Sequence, residues 1–457
     1  MHLSHLFFAD DVVFMGQWNS KNIDTIIYVL KCFQRASGLC INVSKSKLLG
    51  IAVNDDFVHQ AANRIGCGIL KVPFIYLGSR VGGNMSRIRS WDEIVEKLIA
   101  RLSKWKMNTL SIGGRLTLVK AVLGSIPIYH MLIFKVPMNV LHRMESIQSH
   151  FFNGVDLNSK KSIWVRWSKV LASKEKGGLG VSSFYALNRA LMFKWVWRFK
   201  TQKEMLWSRV IKAIHGDNGR IGSCSKIGYK SVWCDLIREV EAVKLHGFDL
   251  YSCMQKKIGN GEDSCFWDDV WIGDTPLKIR YPRLYDLEVN KGIKVASKMA
   301  HVSRSSSFRR NPRSGAEQSQ IESLLDLLEG AILGTSRDRW YWSLEGSGEF
   351  SVSSIKKALD NNRFPNVSSQ TRWIKEVPIK VNVLAWKVRL DCLPIRLNLS
   401  HRGLDIPSIL CPICGIAAES AAHVFFQCDM AKDLFRKVCH WWNVDFREIC
   451  SYDDWAS

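Results

Sequence analysis

Near the end of the chain, four residues that bind soft metals stand at ligand spacing: Cys411, Cys414, His423 and Cys428, in the pattern C-x2-C-x8-H-x4-C. Two thiolates from a tight knuckle, an imidazole and a third thiolate form the donor set that tetrahedral zinc prefers, and four protein ligands close its shell. The spacing predicts a structural zinc site with no open position for water, which argues against a zinc-dependent nuclease. Gly415, directly after the second cysteine, lets backbone amides turn toward the sulfurs, and the basic Arg402 precedes the cluster. Ten of the thirteen cysteines follow no such spacing. Scattered thiols in a long chain suit a reducing compartment, not a disulfide scaffold.

At the other end, Phe8-Ala9-Asp10-Asp11 sets two carboxylates between apolar flanks, Leu3 to Phe8 and Val12 to Met15. The pattern predicts strand, turn, strand, with the hairpin buried and the acidic turn held rigid. Two carboxylates at such a turn reach divalent cations, and nucleotidyl transfer uses two such ions about 3.5 to 4 Å apart. An Asp-Asp pair alone is common in ordinary turns, so its meaning depends on the elements around it.

Those elements are read from periodicity. Ile23, Ile26, Ile27, Leu30 and Phe33 predict a helix over 22–37 stopped by Gly38, and residues 39–43 a short strand. Residues 73–83 predict a second hairpin. Helices follow around Ile94, Leu98 and Leu102, around Leu116 to Leu123, and over 139–153 and 184–199, with Gly113-Gly114 and Pro127 as punctuation. The Ser/Arg-rich stretch His301 to Arg310 is read as a flexible linker. A strand over 348–352, a helix over 353–359 and another over 380–389 lead to the cysteine cluster.

The balance of 64 Lys and Arg against 42 Asp and Glu gives +22 and a pI near 9.5, which points to a polyanionic partner. Between Ser86 and Val210 there are 22 basic and 7 acidic residues, so that segment is the candidate footprint. A solvated basic surface would give the same count. Some of the eighteen tryptophans lie among basic residues, as in Lys194-Trp195-Val196-Trp197-Arg198; such interleaving suits base stacking, although on a helix it more often marks core. Asp10 and Asp11 interrupt the apolar N-terminal run, there is no basic n-region, and no run of eighteen uncharged apolar residues occurs. The expectation is an intracellular protein, nuclear or cytoplasmic, with no signal peptide and no membrane partner.

Leu6-Phe7-Phe8-Ala9-Asp10-Asp11 resembles the [FY]-A-D-D motif of reverse transcriptases, in the form found in plant LINE-type (non-LTR) retrotransposons. Three further segments match in the family's order: Ser37 to Ser46, Tyr76-Leu77-Gly78 with Gly82-Gly83, and residues 86–200 with Trp105, Gly113-Gly114-Arg115 and Gly177-Gly178-Leu179-Gly180. Trp373, Pro378, Lys380-Val381-Asn382, Trp386, Leu393-Pro394 and Arg402-Gly403 resemble the zinc-binding domain that follows the polymerase.

The resemblance implies an α+β chain: a partial palm over 1–85, a helical basic thumb over 86–210, a connecting region over 211–339, and a mainly helical zinc-binding domain over 340–457. It implies that Asp10 ligates Mg2+ with Asp11 contributing more weakly, that Lys45 lies near the incoming triphosphate, and that Tyr76, Leu77 and Gly78 position the primer. A solvent-facing lysine and a core leucine are the plain alternatives for Lys45 and Leu77. RNA and DNA are the implied partners, with an endonuclease and the remaining palm and fingers of the same element. The family's other palm Asp has no counterpart in this sequence, so the implied polymerase is inactive alone. The alternative is a non-catalytic, zinc-containing nucleic-acid-binding protein.

Overall fold

The computed structural model describes residues 3–39, 41–103, 109–156, 163–221, 231–300, 306–364, 366 and 370–456. The fold is α+β, predominantly helical, and the strands named among the described residues form two-stranded sheets. The chain divides into two compact units, Met1–Asp92 with Glu204–Arg220, and Glu93–Lys203 with Ile221–Ser457. Among the described residues no helix is long and apolar enough to cross a membrane.

In the smaller unit, His5–Phe8 pairs antiparallel with Asp11–Phe14, with Phe8 opposite Asp11. The hairpin is where the sequence places it, but it is not buried: Phe7 is 71 % and Phe8 59 % exposed. Alternating apolar strands bury a face only when a further layer covers it. The Ser20–Ser37 helix follows, capped by the Asn19 side chain and ended by Gly38 at φ 72°. The expected strand over 39–43 is not formed at Leu39 or Ile41–Val43. The Asn42 side chain accepts from Lys45 N at 3.1 Å and draws Val43–Lys45 into a 3-10 turn instead. Phe74–Tyr76 pairs with Ser79–Val81 as expected, turning through Leu77 and Gly78 at φ 47° and 75°.

The larger unit is built on the Phe184–Thr201 helix, which buries residues around most of its circumference. Its polar residues are satisfied inside. Asn188 donates to the Met131 and Phe134 carbonyls and accepts from Val136 N. Arg189 pairs with Glu239, whose other oxygen meets Lys135. Trp195 donates to the Leu132 carbonyl at 2.7 Å and Trp197 stacks on Phe350 at 5.3 Å, so the basic-aromatic run is packed structure. Met138–Asn153 and Val352–Arg363 pack beside this helix, close to the expected spans.

Gly113 and Gly114 do not punctuate helices; they lie inside the Ile112–Leu118 helix. A Cβ on Gly113 would come within 2.7 Å of Lys380 N, so glycine here permits close approach to the Ile379–Arg389 helix. A five-residue π turn over Val119–Leu123 then shifts the helical phase, burying Val119 and Leu123 and leaving Ala121 exposed. Residues 348–351 form no strand, and helix begins at Val352. The ladder belongs to Arg339–Trp342, which pairs with Met254–Lys257.

Between these strands the chain folds around Phe266, Trp267, Leu277, Tyr281, Leu284 and Leu324. The stretch read as a linker contributes to this core where it is described. Ser307 and Arg309 bond across to Val289 and Leu287, and Phe308 is buried; residues 301–305 lie outside the described residues. Glu288 and Lys298 form a fully buried ion pair at 2.5 Å, with Trp267 Nε1 donating to the same carboxylate. Asp338 gathers Gly259 N, Gly261 N, Asp263 N and the Ser264 hydroxyl.

At the start of the central helix, Ser183 caps Ala186 N and its hydroxyl donates to Asp360 at 2.5 Å, while Glu145 accepts from Phe184 N. Burial holds the Asp360 carboxyl at about 6, above its ordinary 3.8, against the opposing Ser183 bonds. The folded protein therefore keeps a proton that the unfolded chain releases between roughly pH 4 and 6. This stabilisation is complete below about pH 4 and is lost as pH rises through 6. Relative to Asp360→Asn, the wild type should lose up to about 3 kcal/mol of stability between pH 3.5 and 7. Paired denaturant titrations would read this directly, and a pH-independent difference would contradict a buried neutral carboxyl.

Candidate metal centre

The cysteine knuckle begins in a short hairpin. Leu410 bridges Ala418, Cys411 N donates to Ala417 O at 2.8 Å, and Gly415 N donates back to Cys411 O at 2.8 Å. Gly415 takes φ 69°, a left-handed conformation that costs a glycine little. The turn brings the Ala417 and Ile416 amides to Cys414, and these donors hold its thiol down at about 6. The glycine thus has the role its position in the sequence suggests. Burial pushes the Cys428 thiol up.

His423 and Cys428 come from the next segment. His423 opens a π turn over His423–Gln427, its amide bonded to the Ser420 hydroxyl, and Cys428 N closes the turn on His423 O at 2.8 Å. Cys428 then turns into extended backbone and precedes the Asp429–Trp441 helix. The one-residue widening sets His423 and Cys428 toward the same point; such π turns recur at functional sites.

All four ligand atoms lie within 4.8 Å of one another, and Cys414 Sγ is 3.3 Å from His423 Nε2. Tetrahedral zinc, with sulfur at about 2.3 Å and nitrogen at about 2.0 to 2.1 Å, spaces adjacent ligand atoms roughly 3.5 to 3.8 Å apart. The residues fit the ion. Cys411, Cys428 and His423 are buried and Cys414 half-buried, as suits a structural metal shielded from solvent.

Hydrogen bonds tie the module to the helices before it. Asn382 accepts from Ile374 N and donates to the Ile374 and Val377 carbonyls, fixing the loop that enters the Ile379–Arg389 helix. Trp386 Nε1 donates to Gly177 O and the Thr371 hydroxyl to Gly178 O, each at 2.8 Å. Arg402 donates to the Ile163 and Trp164 carbonyls and lies 4.1 Å over the Trp164 ring. Arg396 donates to Leu410 O beside the knuckle.

Residues 350–435 match the family model described as zinc-binding in reverse transcriptase. The chain is also 30 % identical, over 158 residues covering 97 % of the relative, to an uncharacterised mitochondrial protein of Arabidopsis thaliana. It belongs to a reverse-transcriptase-related family. A third match, 31 % identical over 366 residues, is the putative ribonuclease H protein of Arabidopsis thaliana. That match takes in 76 % of this chain and 56 % of the relative, so the chain spans little more than half of that protein.

In this reverse-transcriptase-related chain the carboxylates of the first hairpin are placed differently from the zinc cluster. Asp10 lies in the turn and Asp11 at the start of the second strand, both exposed, with Ala9 at φ 49° just before them. Among the described residues, the group of three or more possible metal ligands is the cysteine-histidine cluster, and neither aspartate is in it. Asp24, a nearby carboxylate in sequence, pairs with Arg64 at 2.5 Å. Lys45 is exposed at the end of its 3-10 turn, and Tyr76 is half-buried opposite Ser79. Leu77 is 39 % exposed, which removes the core alternative for it. Trp105 lies outside the described residues. The Asp338 nest was not anticipated; the Gly259-Asn260-Gly261 run was its available signal.

The purified chain should carry about one equivalent of zinc by elemental analysis, and Cys414→Ser should lose it. Chelation should lower the melting temperature of the larger unit, because ligand geometry and local folding are coupled. A stable, fully folded chain without metal would rule the site out.

Proposed function

We propose that the chain is the palm-end, thumb and zinc-module portion of an RNA-directed DNA polymerase of a LINE-type retrotransposon. By itself it binds RNA and DNA without extending a primer. The observation that carries this reading is the Cys3His cluster, in a module matching the reverse-transcriptase zinc-binding family, in one compact unit with Glu93–Lys203 of the basic helical segment. The exposed apolar faces of Phe7 and Phe8 also support it, since a palm hairpin is one part of a larger sheet. The ribonuclease H name of one relative suits a longer protein that meets RNA–DNA hybrids.

On this reading Asp10 holds Mg2+ with help from Asp11, Lys45 neutralises charge on the incoming triphosphate, and Tyr76, Leu77 and Gly78 support the primer end. The bound Mg2+ ions would activate the primer hydroxyl and stabilise the leaving pyrophosphate. Two carboxylates standing outside any larger ligand group, among the described residues, make a weak two-metal site. The same fact favours a second reading, a non-catalytic nucleic-acid-binding protein that retains the acidic turn.

Primer extension on an RNA template by the 457-residue chain should be undetectable. Fusion to the preceding palm and fingers of a related element should restore it, and Asp10→Asn should remove about two or more orders of magnitude of that activity. Restored activity that tolerates Asp10→Asn would leave the second reading. RNA and single-stranded DNA should bind with affinity falling steeply as salt rises, by roughly 0.7 log units per log salt for each phosphate neutralised. Salt-independent binding, or none, would sink both readings.

A further inference from the structure

The hydrogen bonds joining the Gly177–Gly180 loop to the zinc module also shape an open basin of about 490 Å³, within the size range of ligand pockets, roughly 300 to 1,000 Å³. Its wall carries three cationic side chains from separate parts of the chain: Lys174 from the turn before the central helix, Arg372 from the irregular segment entering the module, and Arg389 from the end of the Ile379–Arg389 helix. Aromatic rings back them. Lys174 Nζ lies 3.9 Å over Trp373, Arg389 5.5 Å from Tyr452, and Arg372 5.7 Å from Trp455.

Thr371 N donates to the main-chain carbonyl of Lys174 at 2.7 Å, which fixes the backbone that carries this lysine, and Arg389 Nη1 donates to Gln370 O at 2.8 Å. Asp453, 3.8 Å from Arg389, is 84 % exposed, and so can be displaced. Just behind, Lys120 donates to Leu179 O; burial, and then the nearby Lys174 charge, bring its ammonium down to about 8. Positive charge is concentrated here, and an anion would relieve the repulsion.

We infer that this basin seats a backbone phosphate of a single-stranded nucleic acid, with a neighbouring base against the aromatic rim. Rings at the edge of a cationic pocket favour an unstacked base, which a single strand supplies and a duplex does not. The inference rests on the nucleic-acid reading above and assigns that reading a location.

The test uses the full chain with zinc bound and a fluorescent 12-residue oligonucleotide, single-stranded or in duplex, at several salt concentrations. Lys174→Gln with Arg372→Gln should weaken single-strand binding tenfold or more and reduce the salt slope by about 0.7, the share of one phosphate. A control pair, Lys257→Gln with Lys291→Gln, outside the basin, should change binding less than twofold. Asp453→Asn, which removes the competing carboxylate, should tighten binding two- to threefold. Photocrosslinking of an iodouracil oligonucleotide should map to 370–373 or 452–455, and it decides the matter even if the double variant fails to fold. Equal losses in both pairs, or crosslinks elsewhere, would overturn the basin while leaving nucleic-acid binding intact. Equally tight binding of a nucleoside monophosphate would overturn the assignment to a strand. Failure of the wild type to bind any oligonucleotide would remove the underlying reading as well.

Discussion

Burying the Phe184–Thr201 helix on most sides sets the terms for the larger unit. A helix in that position has no solvated face on which to leave a polar residue, so Ser183, Asn188 and Arg189 must each find internal partners. Those partners come from distant segments: Asp360 for Ser183, the 131–136 turn for Asn188, and Glu239 with Lys135 for Arg189. Removing one partner of the buried Arg189–Glu239 pair costs about 3 to 5 kcal/mol, because the other charge remains without water. The polar contacts thus fix which helices can surround the central one, while apolar contact supplies most of the attraction.

Close backbone approach is the second constraint. Gly113 lets the Ile112–Leu118 helix meet the start of the Ile379–Arg389 helix, and Gly178, where a Cβ would fall 2.0 Å from Ala172 O, lets the loop fold back beneath Trp386. The zinc module is consequently part of the helical body.

The elements legible in the sequence are those whose information is local. The 20–37 and 184–201 helices show periodicity and caps, the Leu77-Gly78 hairpin shows its turn residues, and the zinc ligands show their spacing. The Arg339–Trp342 strand was missed because its partner, Met254–Lys257, is remote in sequence, whereas 348–352 resembles a strand but has no ladder. Much of the core around Trp267 is assembled from helices of four to six residues and from loops, too short to show a period; Ile321, Leu324 and Leu328 of the Ala316–Glu329 helix complete it. Gly113 looked like a helix breaker because sequence alone does not show the neighbour that requires it. The acidic hairpin was legible in register but not in exposure, since burial depends on what lies over a strand.

That exposed hairpin has a practical consequence. His5–Phe8 and Asp11–Phe14 form a two-stranded ribbon with apolar side chains in water, and each strand has one outer edge not paired in that sheet. Unpaired strand edges are templates for another chain, and neither strand carries lysine or proline to discourage it. Expressed alone, the polypeptide is thereby disposed to self-associate through the His5–Phe8 and Asp11–Phe14 ribbon, with aggregation rising with concentration. Lysine at Phe7 would act as a gatekeeper against that association.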